Sequence, residues 1–280
     1  MVHLDISGTH FTYSGTSSRD YGLIFANVKT DRFISLVGDI KSNTVFNKSG
    51  KYNHFIGDSF EDAYLVFDAE VVTDNGNPIH FETRRNIEKW LFHQTDYRRL
   101  YLDVADDPWA ETCDLVDGVP KHLYLNCRFV NPEKLEYNGG IVGYRFKIEC
   151  DSCMAWQDET VCNYKLNHDS QNSNSMITLA VDTDINDYTY PRVTIQMGTL
   201  GGDIIISNNT DEPARLTSFV GLSPGIKLTM DGCGINYISG DNYMKFSDKN
   251  FIRLLDGENS LSVIGNIAEI TFEFQNRRYL

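Results

Sequence analysis

The sequence is poor in positive charge: 25 lysines and arginines stand against 39 aspartates and glutamates, a formal net charge of −14 at pH 7. Affinity for nucleic acid comes mainly from Lys and Arg neutralising phosphates, so this deficit excludes a DNA reader. No apolar run approaches the roughly 18–20 residues that a membrane-spanning helix needs, and no membrane partner is expected. The opening Met1-Val2-His3-Leu4-Asp5 has neither the basic nor the apolar region of a signal peptide, which predicts synthesis in a cytoplasm or exit by another route. Six cysteines in 280 residues are too few for a disulfide scaffold, and reduced thiols are the expectation. Neither GxxxxGK[ST] nor GxGxxG occurs, so no phosphate-cradling loop is offered.

Apolar material is plentiful: 41% of residues are hydrophobic and 12% aromatic, enough for a packed core, and the length fits about two domains. Its pattern is overwhelmingly of period two. Ala63, Leu65, Phe67, Ala69 and Val71 alternate with Tyr64, Val66, Asp68, Glu70 and Val72. Tyr144, Phe146, Ile148 and Cys150 alternate with Arg145, Lys147 and Glu149. The same holds for Val193, Ile195 and Met197, and for Ile270, Phe272 and Phe274. Such alternation marks antiparallel strands with one wet face. Asn75-Gly76-Asn77, Asn138-Gly139-Gly140 and Asp231-Gly232 read as turns between them.

One segment has the helical period instead. Ile87, Trp90 and Leu91 fall at i, i+3 and i+4, with Arg84, Arg85, Glu88 and Lys89 off the stripe, which predicts one amphipathic helix over Thr83–His93 capped by Thr83. Trp90 is expected to be buried against a sheet. The alternation stops at Cys150, and a polar stretch runs from Asn163 to Ser175, so a domain boundary is expected between about 151 and 175.

The chemical motifs fail on context. Gly221-Leu222-Ser223-Pro224-Gly225 matches the G-x-S-x-G nucleophile elbow, yet a strand follows it and no histidine lies after His168. Asp182–Asp187 starts like an EF-hand loop but has Asp187 where Gly is required and Val193 in place of the bidentate Glu. Cys150, Cys153, Cys162 and His168 supply enough ligands for a tetrahedral zinc, but in no spacing of a finger or ribbon, and Cys150 belongs to an apolar face. Small buried cysteines are the commoner fate, so these four are expected to hold no metal. Adjacent carboxylates such as Asp106-Asp107 and Glu61-Asp62 would point to opposite faces of a strand. No catalytic residue, cofactor or metal is expected.

The order of the features points further. Phe11-Thr12-Tyr13-Ser14-Gly15 followed by Arg19-Asp20-Tyr21-Gly22-Leu23 resembles the start of the distal tail proteins of long-tailed, non-contractile bacteriophages. Arg85–Leu91 with Arg99-Leu100-Tyr101-Leu102-Asp103 is similar to that family's helix and following strand, and Gly143–Cys150 to the strand closing its first domain. Tyr190–Ile195, Asp203–Asn208 and Ile226–Asp231 resemble consecutive strands of its second domain, and Phe251–Leu261 its F-x-x-L-x-x-G-x-N ending.

The resemblance covers nearly the whole chain and implies a mainly β protein. Its first part, 1–155, would be a ring-forming, tail-tube-like β-barrel or sandwich with one helix. A linker over 156–170 would lead to a galectin-like β-sandwich over 171–280. It further implies a homohexameric hub at the virion's tail tip, joining tail tube protein to a tail-tip protein and often to receptor-binding proteins. An acidic ring lumen would let DNA pass without sticking, although −14 is equally what a solubilising surface looks like. The alternative is a carbohydrate-binding host-adhesion protein. It suffers from the absence of Trp in residues 166–280, which leaves Tyr188, Tyr190, Tyr237 and Tyr243 as stacking candidates. A closed ring needs two different surfaces per subunit. Gly38–Ser59, with Lys41, Lys48, Lys51, Tyr52, His54 and Phe55 and no long alternation, suits an extended hairpin or arm for one of them, and equally an ordinary surface loop.

Overall fold

The computed structural model describes residues 8–26, 40–47, 52–60, 64–103, 122–184, 187–232, 237–238 and 250–278. The chain divides into two units, residues 1–157 with 278–280, and residues 158–277.

The first unit is a closed antiparallel barrel. Its strands are β1 (Gly8–Tyr13), β3 (Leu23–Ala26), β6 (Val66–Thr73), β7 (Arg98–Asp103), β8 (Leu123–Tyr137) and β9 (Gly140–Cys150). They pair in the order β1-β3-β6-β9-β8-β7, and β7 closes the ring on β1, which leaves no open edge among the six. β2 (Thr16–Ser17) pairs with β1, and β10 (Ala155–Gln157) with β8. β4 (Ile40–Asn47) and β5 (Tyr52–Phe60) form a separate two-stranded sheet. Asn138 (φ 50°) and Gly139 (φ 75°) join β8 to β9 with both residues left-handed, the turn that Asn-Gly favours in hairpins.

Period two becomes burial here. Tyr144, Phe146, Ile148 and Cys150 are each 1% exposed, and their alternates bear charge on the outer wall. The helix α1 spans Phe81–Phe92 and turns Ile87, Trp90 and Leu91 inward, as the stripe requires. Its start departs from the sequence reading. The N-cap is His80, which makes no side-chain capping bond, and Thr83 lies inside the first turn. Ile79 donates its N–H to the Ile141 carbonyl at 2.7 Å, which holds the chain extended up to His80; Arg84 N–H then bonds the His80 carbonyl at 2.8 Å, so the helix begins as soon as that anchor releases it.

The second unit is a two-sheet sandwich. One sheet orders β11 (Thr160–Lys165), β19 (Ile267–Phe274), β13 (Arg192–Met197), β16 (Lys227–Asp231) and β17 (Tyr237–Ile238). The other orders β12 (Asn174–Val181), β18 (Gly257–Gly265), β14 (Gly202–Asn208) and β15 (Leu216–Leu222). Inward side chains of both sheets, among them Ile195, Phe272, Ile206 and Phe219, form one apolar cluster. β20 (Arg277–Arg278) ends the described chain. The stretch 156–170, expected as a linker, is largely sheet: β11 pairs with β19 from Thr160↔Phe274 to Lys165↔Glu269. An edge strand with Val161, Asn163 and Lys165 on its wet side looks like a polar connection in sequence; between β10 and β12 only residues 158–159 and 166–173 lie outside strands.

The barrel interior stores protons. Burial pushes the Cys150 thiol from an ordinary value of 9.0 up to about 12, with the Asp151 carboxylate adding to it. Burial likewise raises Cys127, Tyr13 and Tyr144, the last also through Glu88, whose Oε1 accepts from its hydroxyl at 3.1 Å. A raised folded-state value means stability that is complete below the unfolded value and lost as pH rises through the folded one. Urea titrations of the chain from about pH 7 to about pH 11 should therefore show a constant midpoint to about pH 9 and a falling one above it. A flat profile to pH 11 would contradict these buried groups.

Candidate functional site

The residues singled out for chemistry do not assemble. Cys150 lies inside the barrel, 1% exposed. Cys153 follows β9 half-buried, and Cys162 sits on β11, packed on the sandwich core. His168 has both ring nitrogens engaged, Nδ1 with the Gly265 carbonyl and Nε2 with Ser175 Oγ, each at 2.7 Å. Among the described residues, no three His, Cys, Asp or Glu side chains gather as a metal site. Gly221–Gly225 runs from the last two residues of β15 into the turn before β16, without a helix behind Ser223. Asp187, from the EF-hand-like stretch, meets Arg277 Nη1 at 3.2 Å, and residues 185–186 lie outside the described ones.

Two of the four tyrosines considered as stacking candidates for a sugar have described side chains. Tyr188 has the Arg253 guanidinium over its ring at 3.9 Å, and Tyr190 packs on the sandwich core. Tyr243 lies outside the described residues, and Tyr237 falls in β17. The outer face of the four-stranded sheet exposes Met176, Ile205, Leu216 and Val220 and, among the described residues, its strands turn no aromatic ring outward. A face of that composition is suited to protein contact more than to stacking on a saccharide.

The remaining candidate is the hairpin. β4 and β5 pair antiparallel from Ile40↔Phe60 to Asn47↔Tyr52, with an irregularity at Asn43/Thr44. That register sets Lys41 opposite Ser59, His54 opposite Val45 and Phe55 opposite Thr44; Lys48 and Lys51 lie outside the described residues. Eight and nine residues of strand reach roughly 26–30 Å. Neither strand joins another described sheet. A two-stranded ribbon is marginal by itself in water, and its edges present a row of backbone donors and acceptors that a further strand can pair.

Three cations on the barrel wall are already paired. Arg128 Nη2 meets Glu149 Oε2 at 2.7 Å, Arg145 Nε meets Glu70 Oε1 at 2.6 Å, and Lys134 Nζ meets Glu88 Oε1 at 3.2 Å. Exposed pairs of this kind contribute only ~0–1 kcal/mol each to stability, but they leave these three cations already matched.

Comparison with known proteins adds the following. A family described as "Phage tail protein N-terminal domain" matches residues 6–152, and one described as "Phage tail C-terminal domain" matches residues 154–274. No curated protein sequence matches. Among solved structures, the chain is similar to the SPP1 Dit (gp 19.1) protein, described as a paradigm of the hub adsorption apparatus in Gram-positive-infecting phages. Identity is 12% and the TM-score 0.61, over 97% of this chain and 99% of that one. It is also similar to a chain of the phage P2 baseplate in its activated conformation with Ca, at 8% identity and TM-score 0.51, over 97% of this chain and 98% of that one. For the Sr-bound form of that baseplate the figures are 8%, 0.50, 96% and 98%.

Proposed function

The chain belongs to a family of phage tail proteins, both of whose domains it carries, and from that premise we propose that it is a structural hub at the tail tip. In this reading it forms a homohexameric ring in the virion that joins the tail tube protein to a tail-tip protein and offers a platform for receptor-binding proteins. It performs no chemistry and needs no cofactor. The observation that carries the reading is the end-to-end likeness of both units to the fold of SPP1 Dit, a hub protein by its description. That likeness runs over 97% of this chain and 99% of that one, and so takes in both units. The second unit's sandwich is the part expected to be galectin-like, and a fold of that kind does not by itself confer sugar binding.

Ring closure would use the β4–β5 hairpin as the arm that reaches a neighbour. Lys41, Lys48 and Lys51 bring three cations to a chain of net −14, so a neighbour's acidic face attracts the arm, sets its register and speeds docking more than it tightens it. Native mass spectrometry of the full chain should show a six-fold assembly. Replacing residues 40–60 by a short Gly/Ser linker should leave a folded monomer, because the six barrel strands pair without that hairpin. Lys41→Glu with Lys48→Glu and Lys51→Glu should slow assembly most at low salt, where screening is weakest. Rings that persist in the hairpin-less variant at the same concentration and salt would place the contacts on the barrel instead. A full-length chain that stays monomeric at every concentration would overturn the hub.

A further inference from the structure

Cys150 has a partner, though not in the cluster that its sequence neighbourhood suggested. The β8–β9 register sets it directly opposite Cys127. Hydrogen bonding fixes the kind of pair. Asp151 N–H donates to the Asn126 carbonyl at 2.9 Å, so residues 126 and 151 are a hydrogen-bonded pair. Hydrogen-bonded and non-hydrogen-bonded pairs alternate along an antiparallel ladder, which makes Cys127↔Cys150 non-hydrogen-bonded. Consistently, Cys150 N–H turns the other way, donating to the Leu65 carbonyl at 2.9 Å. In a non-hydrogen-bonded pair the α-carbons stand about 4.5 Å apart and the side chains are at their closest. A disulfide accepts α-carbons at about 4.4–6.8 Å. Both side chains point into the barrel, Cys127 0% and Cys150 1% exposed, and both are free thiols.

We propose that Cys127 and Cys150 are a closable cross-strand lock, reduced while the chain is made and assembled and joined as a disulfide once it is exposed to an oxidising medium. The change of medium rests on the phage-tail reading, since a virion leaves its reducing host; the bond itself does not. Closure converts two thiols into one S–S bond and releases two protons and two electrons. Dioxygen accepts them outside the cell; in the test an azodicarboxamide does, its N=N bond becoming a hydrazine. The bond would tie β8 to β9 at the end where β9 leaves the barrel, so that the long hairpin between them becomes a covalent loop. Burial makes the lock slow and selective, because a thiol that stays protonated attacks poorly and a bulky disulfide reagent has no access.

The folded wild-type chain, incubated for a day with the azodicarboxamide, should lose about 2 Da per lock in intact mass. Fragmentation of the non-reduced digest should join the peptide of Cys127 to Cys150. A variant with Cys113→Ser, Cys153→Ser, Cys162→Ser and Cys233→Ser should give the same linkage, and Cys150→Ser should abolish it. The linked barrel should melt roughly 5–10 °C higher. Two thiols still free after a day, linkage of either sulfur to another cysteine, or a Tm unchanged by the link would each overturn the proposal. None of these outcomes depends on whether the chain forms rings, so the lock and the hub fail separately.

Discussion

Trp90→Ala is expected to remove ~3–5 kcal/mol of stability, the largest loss that any single truncation in the helix should give. The indole is 8% exposed and stacks on Phe11 with centroids 5.8 Å apart and on Tyr21 at 5.2 Å, with Tyr13 tilted against it at 6.5 Å. It also has a polar duty, since Nε1 donates to the Tyr13 carbonyl at 2.8 Å in a buried position. Truncation therefore leaves a cavity and removes a buried hydrogen bond together, and these costs come from different sources. Trp90→Phe separates them, because it keeps most of the volume and loses only the donor; about 1–3 kcal/mol is expected there. Urea unfolding followed by circular dichroism measures both. If Trp90→Ala costs less than about 1 kcal/mol, the helix is not pinned to the barrel through this residue.

How much of this was legible in the sequence depends on where the information lies. Strands were legible because burial on one face writes itself as period two, and the faces read from Tyr144, Val193 and Ile270 onward are the buried ones. The helix stripe was legible for the same reason at its own period, whereas its first turn was not, because the backbone of Ile79 held by Ile141 sets the start, not a capping side chain. β11 was hidden by its place at a sheet edge, where half its residues face water and read as a connection. Barrel closure was beyond reach: β7 meets β1 through His10↔Asp103 to Tyr13↔Leu100, a pairing about ninety residues long that leaves no local trace. Cys127 was missed likewise, because its relation to Cys150 exists only in the register. The Phe251–Asn259 ending was legible as letters and explained only by structure. Phe251 and Leu254 are buried, Gly257 takes φ 90°, and Asn259 is wholly enclosed, its side chain bonding Leu255 through both N–H and carbonyl.

That ending surrounds an ion pair that no spacing announces, and separating its partners is the second large effect expected. Arg253 Nε and Nη2 meet Asp211 Oδ2 and Oδ1 at 2.7 and 2.8 Å, a two-point fork, with side chains 10% and 1% exposed. Tyr188 covers the guanidinium, and the Arg253 carbonyl accepts from Asn208 Nδ2, which also reaches Asn259 Oδ1, both at 2.9 Å. The pair thus ties the β14–β15 turn to the segment entering β18. Arg253→Met strands the Asp211 carboxylate away from water, and ~3–5 kcal/mol should be lost. Asp211→Leu strands the guanidinium and should cost less, since that head group can turn toward solvent more readily than a carboxylate on a buried turn. Removing both charges should recover most of the loss, because two desolvated ions replaced by apolar groups of similar size are often neutral. Arg253→Lys should not rescue, as an ammonium cannot span both carboxylate oxygens. Thermal and urea unfolding of the wild type, Arg253→Met, Asp211→Leu and the double variant closes a double-mutant cycle, and a coupling above about 1 kcal/mol is expected. A double variant as unstable as Arg253→Met would show that the fork itself, and not relief of a buried charge, holds this corner of the sandwich together.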